Sequence, residues 1–224
     1  MDKKGTHQQL CIVGGGIGVR HNCLRNWVRS WLATVCHLPW AEIEQHVPEW
    51  DEWAQATDAN TGAPLFRTVL QPPVPPGEGA AGVAPVEVQE PVMEVTQARL
   101  DVGFRDDDGV LGYVDVAYAN AVTTDAATVR RSARTAGKAA SEKEEQKRKR
   151  YPPEKFPHAE LVPFVVEARG RLGAEVLPFL RQHAPAEEPH RSAVLARATR
   201  EISIITQRGL ASLLLAAEPR PAVV

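Results

Sequence analysis

Between residues 24 and 35 the apolar side chains Leu24, Trp27, Val28, Trp31, Leu32 and Val35 return at every third or fourth position. That spacing lays one stripe of an α-helix against a core. The helix is predicted to start at Asn22, whose side-chain oxygen can accept a free first-turn amide, and to stop at Leu38-Pro39. The period then shortens to two. Ile43, Gln45 and Val47 alternate with Glu42, Glu44 and His46, which predicts a first strand over 41–47. Residues 98–104 (ARLDVGF) and 111–118 (LGYVDVAY) flank a turn built on Asp108-Gly109 and are predicted to pair as a hairpin. Thr123-Thr124-Asp125 offers helix caps, and 126–150 is rich in Ala, Arg, Lys and Glu without a proline, so one long helix is expected there. After Pro152-Pro153, the apolar run LVPFVVEA (161–168) reads as an inner strand covered on both faces. A turn at Gly170 and Gly173, a short helix over 174–183 and one or two helices over 191–217 complete the chain.

Length and composition refine this order. A chain of 224 residues suits one domain with appendages. Eleven of its prolines and glycines fall between Gly62 and Pro91, so 54–95 is expected to be a mobile insertion or linker carrying little fold information. Residues 218–224 are expected to form a disordered tail. Cys11, Cys23 and Cys36 form no CxxC pair, no apolar leader follows Met1, and no run is long enough to cross a bilayer. A protein of the cytosol or nucleus, without a membrane partner, is expected.

The net charge of −2 conceals an uneven distribution, because Arg130 to Arg150 contains nine Lys or Arg against three Glu. Such a run either binds a polyanion or forms a solvated helix face with internal pairs such as Glu144 with Arg148. Gly14-Gly15-Gly16-Ile17-Gly18 looks like a nucleotide-binding loop, but Val19 stands where the third glycine of GxGxxG belongs. A hinge is expected instead.

Two aspartates carry candidate chemistry. Asp101 and Asp115 lie one on each strand of the hairpin, separated by 13 residues and flanked by Leu100, Val102, Val114 and Val116. Carboxylates in mid-strand are costly to desolvate, and two side by side repel. Either a hard divalent cation such as Mg²⁺ offsets that cost, or each faces solvent or pairs with Arg99 or an arginine of the following helix. Lys147 to Tyr151 reads K-x-x-x-Y at the end of the predicted long helix. A lysine there is a surface cation or a group that polarises an attacking water and stabilises developing charge.

Arg20-His21-Asn22, Leu100-Asp101 with Asp115 beyond it, and Lys147-to-Tyr151 occur in an order that resembles the restriction-like endonuclease domain of site-specific non-LTR retrotransposons, part of the PD-(D/E)XK superfamily. The resemblance covers roughly 20–170. It implies a mixed α/β (α+β) fold with an αβββαβ core, a mixed four-stranded sheet and extra C-terminal helices over 20–217. It also implies that His7 and Cys11 resemble the last two ligands of a zinc knuckle, making 1–19 a knuckle remnant and hinge. By the same resemblance Asp101 and Asp115 would hold Mg²⁺ or Mn²⁺, Lys147 would be the catalytic lysine, and Glu44 would complete the acidic set. Arg20, His21, Arg130, Arg134, Lys138 and Arg150 would meet DNA. The implied function is nicking of a double-stranded DNA target in the nucleus, with a retroelement RNA or reverse transcriptase as further partner; the alternative is an inactive remnant that only binds. Leu100 replaces the family's proline before the first acid, and Ala117 stands where a D-x-K triplet has lysine.

Overall fold

In the computed structural model, residues 16–38, 40–71, 86–120 and 126–216 are described. The fold is mixed α/β, with one four-stranded mixed sheet and several helices. The elements of the main unit are α1 (Gly16–Thr34), β1 (Glu42–His46), β6 (Arg99–Arg105), β7 (Leu111–Ala119), α2 (Ala126–Arg134), α3 (Lys138–Arg150), β8 (Ala159–Glu167), α4 (Val176–His183) and α5 (His190–Ala216). A second unit, Asp51–Ala98, carries β2 (Glu52–Gln55), β3 (Phe66–Gln71), β4 (Val86–Pro91) and β5 (Met93–Thr96).

The sheet order is β1-β6-β7-β8. Both β1 with β6 and β6 with β7 pair antiparallel, whereas β8 runs parallel to β7 after the helical crossover. At the hairpin Gly109 takes φ +80°, its amide donates to Asp106 O, and the Asp106 carboxylate accepts the Asp108 and Val110 amides. Phe104 lies across from Gly112 and covers it so closely that a Cβ there would enter the ring. By hydrogen bonding β8 is an edge strand, which accommodates Pro163. Helices nevertheless bury both its faces. Val162, Phe164 and Val166 join Val102, Phe104, Val114 and Val116 under α1, α4 and α5, while Val165 packs with Ala117, Ala119, Ala139 and Ala140 under α3.

Several expectations change. Gly16 and Gly18 lie in the first turns of α1 rather than in a hinge, so Asn22 is an exposed mid-helix residue, not a cap. The helix ends at Thr34, ahead of Leu38. The stretch 126–150 is two helices, not one, because Gly137 adopts φ +78° between them. A left-handed residue interrupts the α-helical ladder as effectively as proline. Glu144 does not pair with Arg148 on the helix surface: Arg148 forks onto Glu175, and Glu144 is buried, accepting the Glu175 amide. In the segment expected to be a linker with little fold information, β2 pairs with β5 and β3 with β4, joined by Ala56–Val92 and Leu65–Ala56 backbone bonds. His7, Cys11, Gly14, Gly15, Pro39, Thr123 to Asp125 and the tail 218–224 lie outside the described residues.

Candidate active site

The hairpin register places the two aspartates together. Val102 pairs with Val114 across β6 and β7, so Asp101 and Asp115 are the next cross-strand positions and share the α3 face. The charge of Asp101 acts on Asp115, raising the pKa of its carboxyl. Asp101 is held by two donors. His21 Nε2, from the second turn of α1, lies 2.7 Å from Oδ1, and the Val116 amide donates to Oδ2 at 2.7 Å.

Asp115 is more deeply placed, with 4% of its surface exposed. Desolvation is the largest influence on it and pushes its pKa up to about 6 against the opposing pull of Lys147. Lys147 Nζ sits 2.6 Å from Asp115 Oδ2. The ammonium and the carboxylate form an ion pair at hydrogen-bonding distance, and the pairing favours the charged form of Asp115.

Three features of α3 deliver Lys147. Ala139 and Ala140 let the helix lie close on Ala117 and Val165, so the lysine stem spans the remaining gap. A lysine at 117 would occupy the space that α3 fills. Buried Glu144 ties the helix to the start of α4, and Gly173 has no Cβ because the Glu144 carboxylate fills that place. Tyr151, whose amide donates to Lys147 O, is buried beside Trp50, which Phe156 meets edge-on. The K-x-x-x-Y spacing thus joins an anchor to a reaching cation one helical turn apart.

Other carried-over residues lie elsewhere. The β1 register brings Glu44 opposite Asp101, between the pairs Ile43–Val102 and Gln45–Leu100. Its φ of +57° departs from extended geometry, and its carboxylate meets Arg25 Nη1 at 2.5 Å instead of joining the aspartates. Among the described residues no group of three His, Cys, Asp or Glu side chains is arranged to hold a metal. Arg20 is buried, stacked 4.0 Å above the Tyr118 ring, and so is withdrawn from any nucleic-acid surface. His21 is turned to Asp101 rather than outward. Arg130, Arg134 and Arg150 are exposed, the last lying over Tyr151, and Lys138 pairs with Glu142.

Sequence reasoning missed Arg25 and Lys143. Arg25 is buried beside the apolar stripe of α1 and binds Glu44. Lys143 precedes Lys147 by four residues, the spacing of one helix face. Burial and then the Lys147 charge lower its pKa, while Asp115 opposes them. That four-residue spacing was the available signal.

No family model matches the chain, and no curated protein matches it in sequence. No helix among the described residues is long and apolar enough to cross a membrane.

Proposed function

We propose that the main unit is a metal-dependent DNA endonuclease domain of the restriction-like type, which in a retrotransposon protein nicks target DNA to expose a 3′ hydroxyl for reverse transcription. The observation that carries this reading is the convergence of Asp101, Asp115 and Lys147 from β6, β7 and α3. The element order α1, β1, β6, β7, α3, β8 supports a restriction-endonuclease-like core. Ala117 supports it too, since the lysine absent from the strand has its counterpart on the helix that covers that position.

The donor set fits a hard cation. Mg²⁺ commonly takes one or two carboxylates and keeps its waters and a substrate phosphate, and Asp101 and Asp115 bring two hard oxygen donors together as cross-strand neighbours, one of them buried. Asp101 and Asp115 would hold the ion, which supplies neutralisation of phosphate charge and easier deprotonation of water. Lys147, fixed at Asp115, presents an ammonium to the oxygen of the attacking water or to the charge that develops on phosphorus. His21 and the Val116 amide hold Asp101 in one orientation. The exposed cations of α2 and α3 offer the phosphate backbone a surface, with affinity that falls as salt rises.

The second reading, a binding module without catalysis, draws on the ion pairing itself: Asp101 is satisfied by His21 and Val116, and Asp115 is charge-paired. Nicking of supercoiled plasmid with Mg²⁺ separates the two. The nuclease reading expects wild-type nicking, and a loss of about 10²–10³-fold for Asp115→Ala and for Lys147→Ala, the scale for removing one group that stabilises the transition state. DNA binding without nicking by the wild type favours the binding module.

A further inference from the structure

Gly209 sits inside α5, where glycine is a poor helix former and no turn requires it. Its surroundings give it a purpose. A Cβ built at 209 would lie 2.5 Å from Arg20 Cγ, 2.9 Å from Cδ and 3.1 Å from Cβ. These atoms are the base of the side chain, and Arg20 is 4% exposed, so the stem has little freedom to move aside. Beyond the crossing, the guanidinium lies 4.0 Å above the Tyr118 ring on β7, with Nε and Nη1 lacking hydrogen-bond partners among the described residues. Burial lowers its pKa, so the ring face offsets part of the cost of enclosing the cation. Arg20 is therefore held from α5 and from β7, and the next residue along α1 is His21, which meets Asp101 at 2.7 Å.

We infer that Gly209 is a positioning residue: by leaving room for the stem of Arg20 it fixes the rotation of the first turns of α1 and brings His21 onto Asp101. A second contact keeps α5 at that height. Two residues before Gly209, Gln207 Nε2 donates to Arg169 O in the turn after β8. Gln207 thus locates the helix, and Gly209 opens a channel in it. The Gly209 clearance is geometric; its meaning for DNA cleavage rests on the nuclease reading above.

The test uses the full chain and two readouts. Long-range ¹H–¹⁵N spectra of the histidine side chains report the His21 Nε2 environment, with exposed His158 as an internal control. Gly209→Ala is expected to shift the His21 signal toward that of a free imidazole and leave His158 unmoved. Arg20→Ala, which removes the tether, is expected to shift His21 as well. In the Arg20→Ala background, adding Gly209→Ala is expected to change His21 no further, because the colliding atoms are gone. An unchanged His21 signal in Gly209→Ala overturns the inference. So does an equal effect of that substitution with or without Arg20, including failure to fold in both backgrounds. Nicking is measured alongside, with about a 100-fold loss expected for Gly209→Ala, the scale of an ångström-sized misplacement. A wild type that does not nick removes the nuclease reading, and the histidine spectra still decide the role of Gly209.

Discussion

The two faces of the central sheet are built from the same strands and do opposite work. One face carries Val102, Phe104, Val114, Val116, Val162, Phe164 and Val166 into a core shared with Leu24, Val28, Trp31, Leu32, Phe179 and Leu180. Aromatic rings interlock there, Phe164 standing edge-on to Phe179 and Phe179 tilted against Trp31. The other face carries Asp101 and Asp115 among alanines under α3, a helix with many charges and only Ala139, Ala140 and Glu144 buried. Because side chains alternate along a strand, Val114 and Val116 stabilise the fold while Asp115 between them faces the other way. Small side chains on the second face let α3 approach until Lys147 reaches the Asp115 carboxylate.

The largest effect expected from breaking this division lies on the core face. Phe164 is fully buried, and Phe164→Ala should lower the free energy of unfolding by about 3–5 kcal/mol, the usual range for emptying such a site. Chemical denaturation measures it. A loss below about 1 kcal/mol would mean that the interlocked rings contribute little beyond their neighbours.

How much of this was legible in the sequence depends on whether the cause was local. Asp108-Gly109 forces its own turn, so the hairpin and the pairing of Asp101 with Asp115 followed from spacing alone. The apolar run of β8 announced a strand covered twice. Tertiary causes were not legible. Gly137 reads as a tolerable residue in an alanine-rich stretch until its positive φ splits α2 from α3. Glu144 reads as a surface partner for Arg148 until α4 supplies amides for it to accept. Nothing near residue 20 signals that Arg20 crosses a glycine 189 positions later. Glu44 shows the same limit from the other side: the family resemblance assigned it to the acidic pair, and its own left-handed backbone with a buried arginine nearby turned it away. The strands β2 to β5 were hidden because the prolines and glycines between Gly62 and Pro91 dominated the reading of the segment, although VEVQ in β4 and MEVT in β5 alternate apolar with polar residues.

A smaller effect, with a different signature, is expected where the two faces are made alike. Ala140 is buried where α3 meets the sheet. Ala140→Leu should overpack that contact and cost about 1–3 kcal/mol. It should also lift the helix, so on the nuclease reading nicking should fall further than the stability loss explains, whereas Phe164→Ala should leave the nicking rate of the folded fraction close to wild type. Equal ratios of activity to folded protein in the two variants would show that the close approach of α3 does not deliver Lys147.

The smallest effect expected is a pH dependence that belongs to the Asp115 carboxyl on the α3 face. The Asp115 carboxyl, at about 6 in the folded chain against 3.8 for an ordinary aspartate, keeps its proton over a range in which the unfolded chain has lost it. Through that window the folded state binds more protons, so stability falls as pH rises from about 4 to about 6 and this group adds no further change above it. Exposed carboxylates held low by local donors, such as Asp58 under the Thr61 and Asn60 groups, have the reverse sign and lose stability as pH falls. The measurement is therefore a difference. Asp115→Asn should gain on the wild type as pH rises from 4 to 6 and then hold a constant margin, read as midpoint differences in thermal unfolding at matched ionic strength. The gain stays modest because Lys147 already offsets part of the desolvation of the charged form and loses its partner in the variant. A margin that is flat from pH 4 to 8 would mean that water reaches Asp115 as freely as it reaches a surface carboxylate, and the contrast between the two sheet faces would then rest on packing alone.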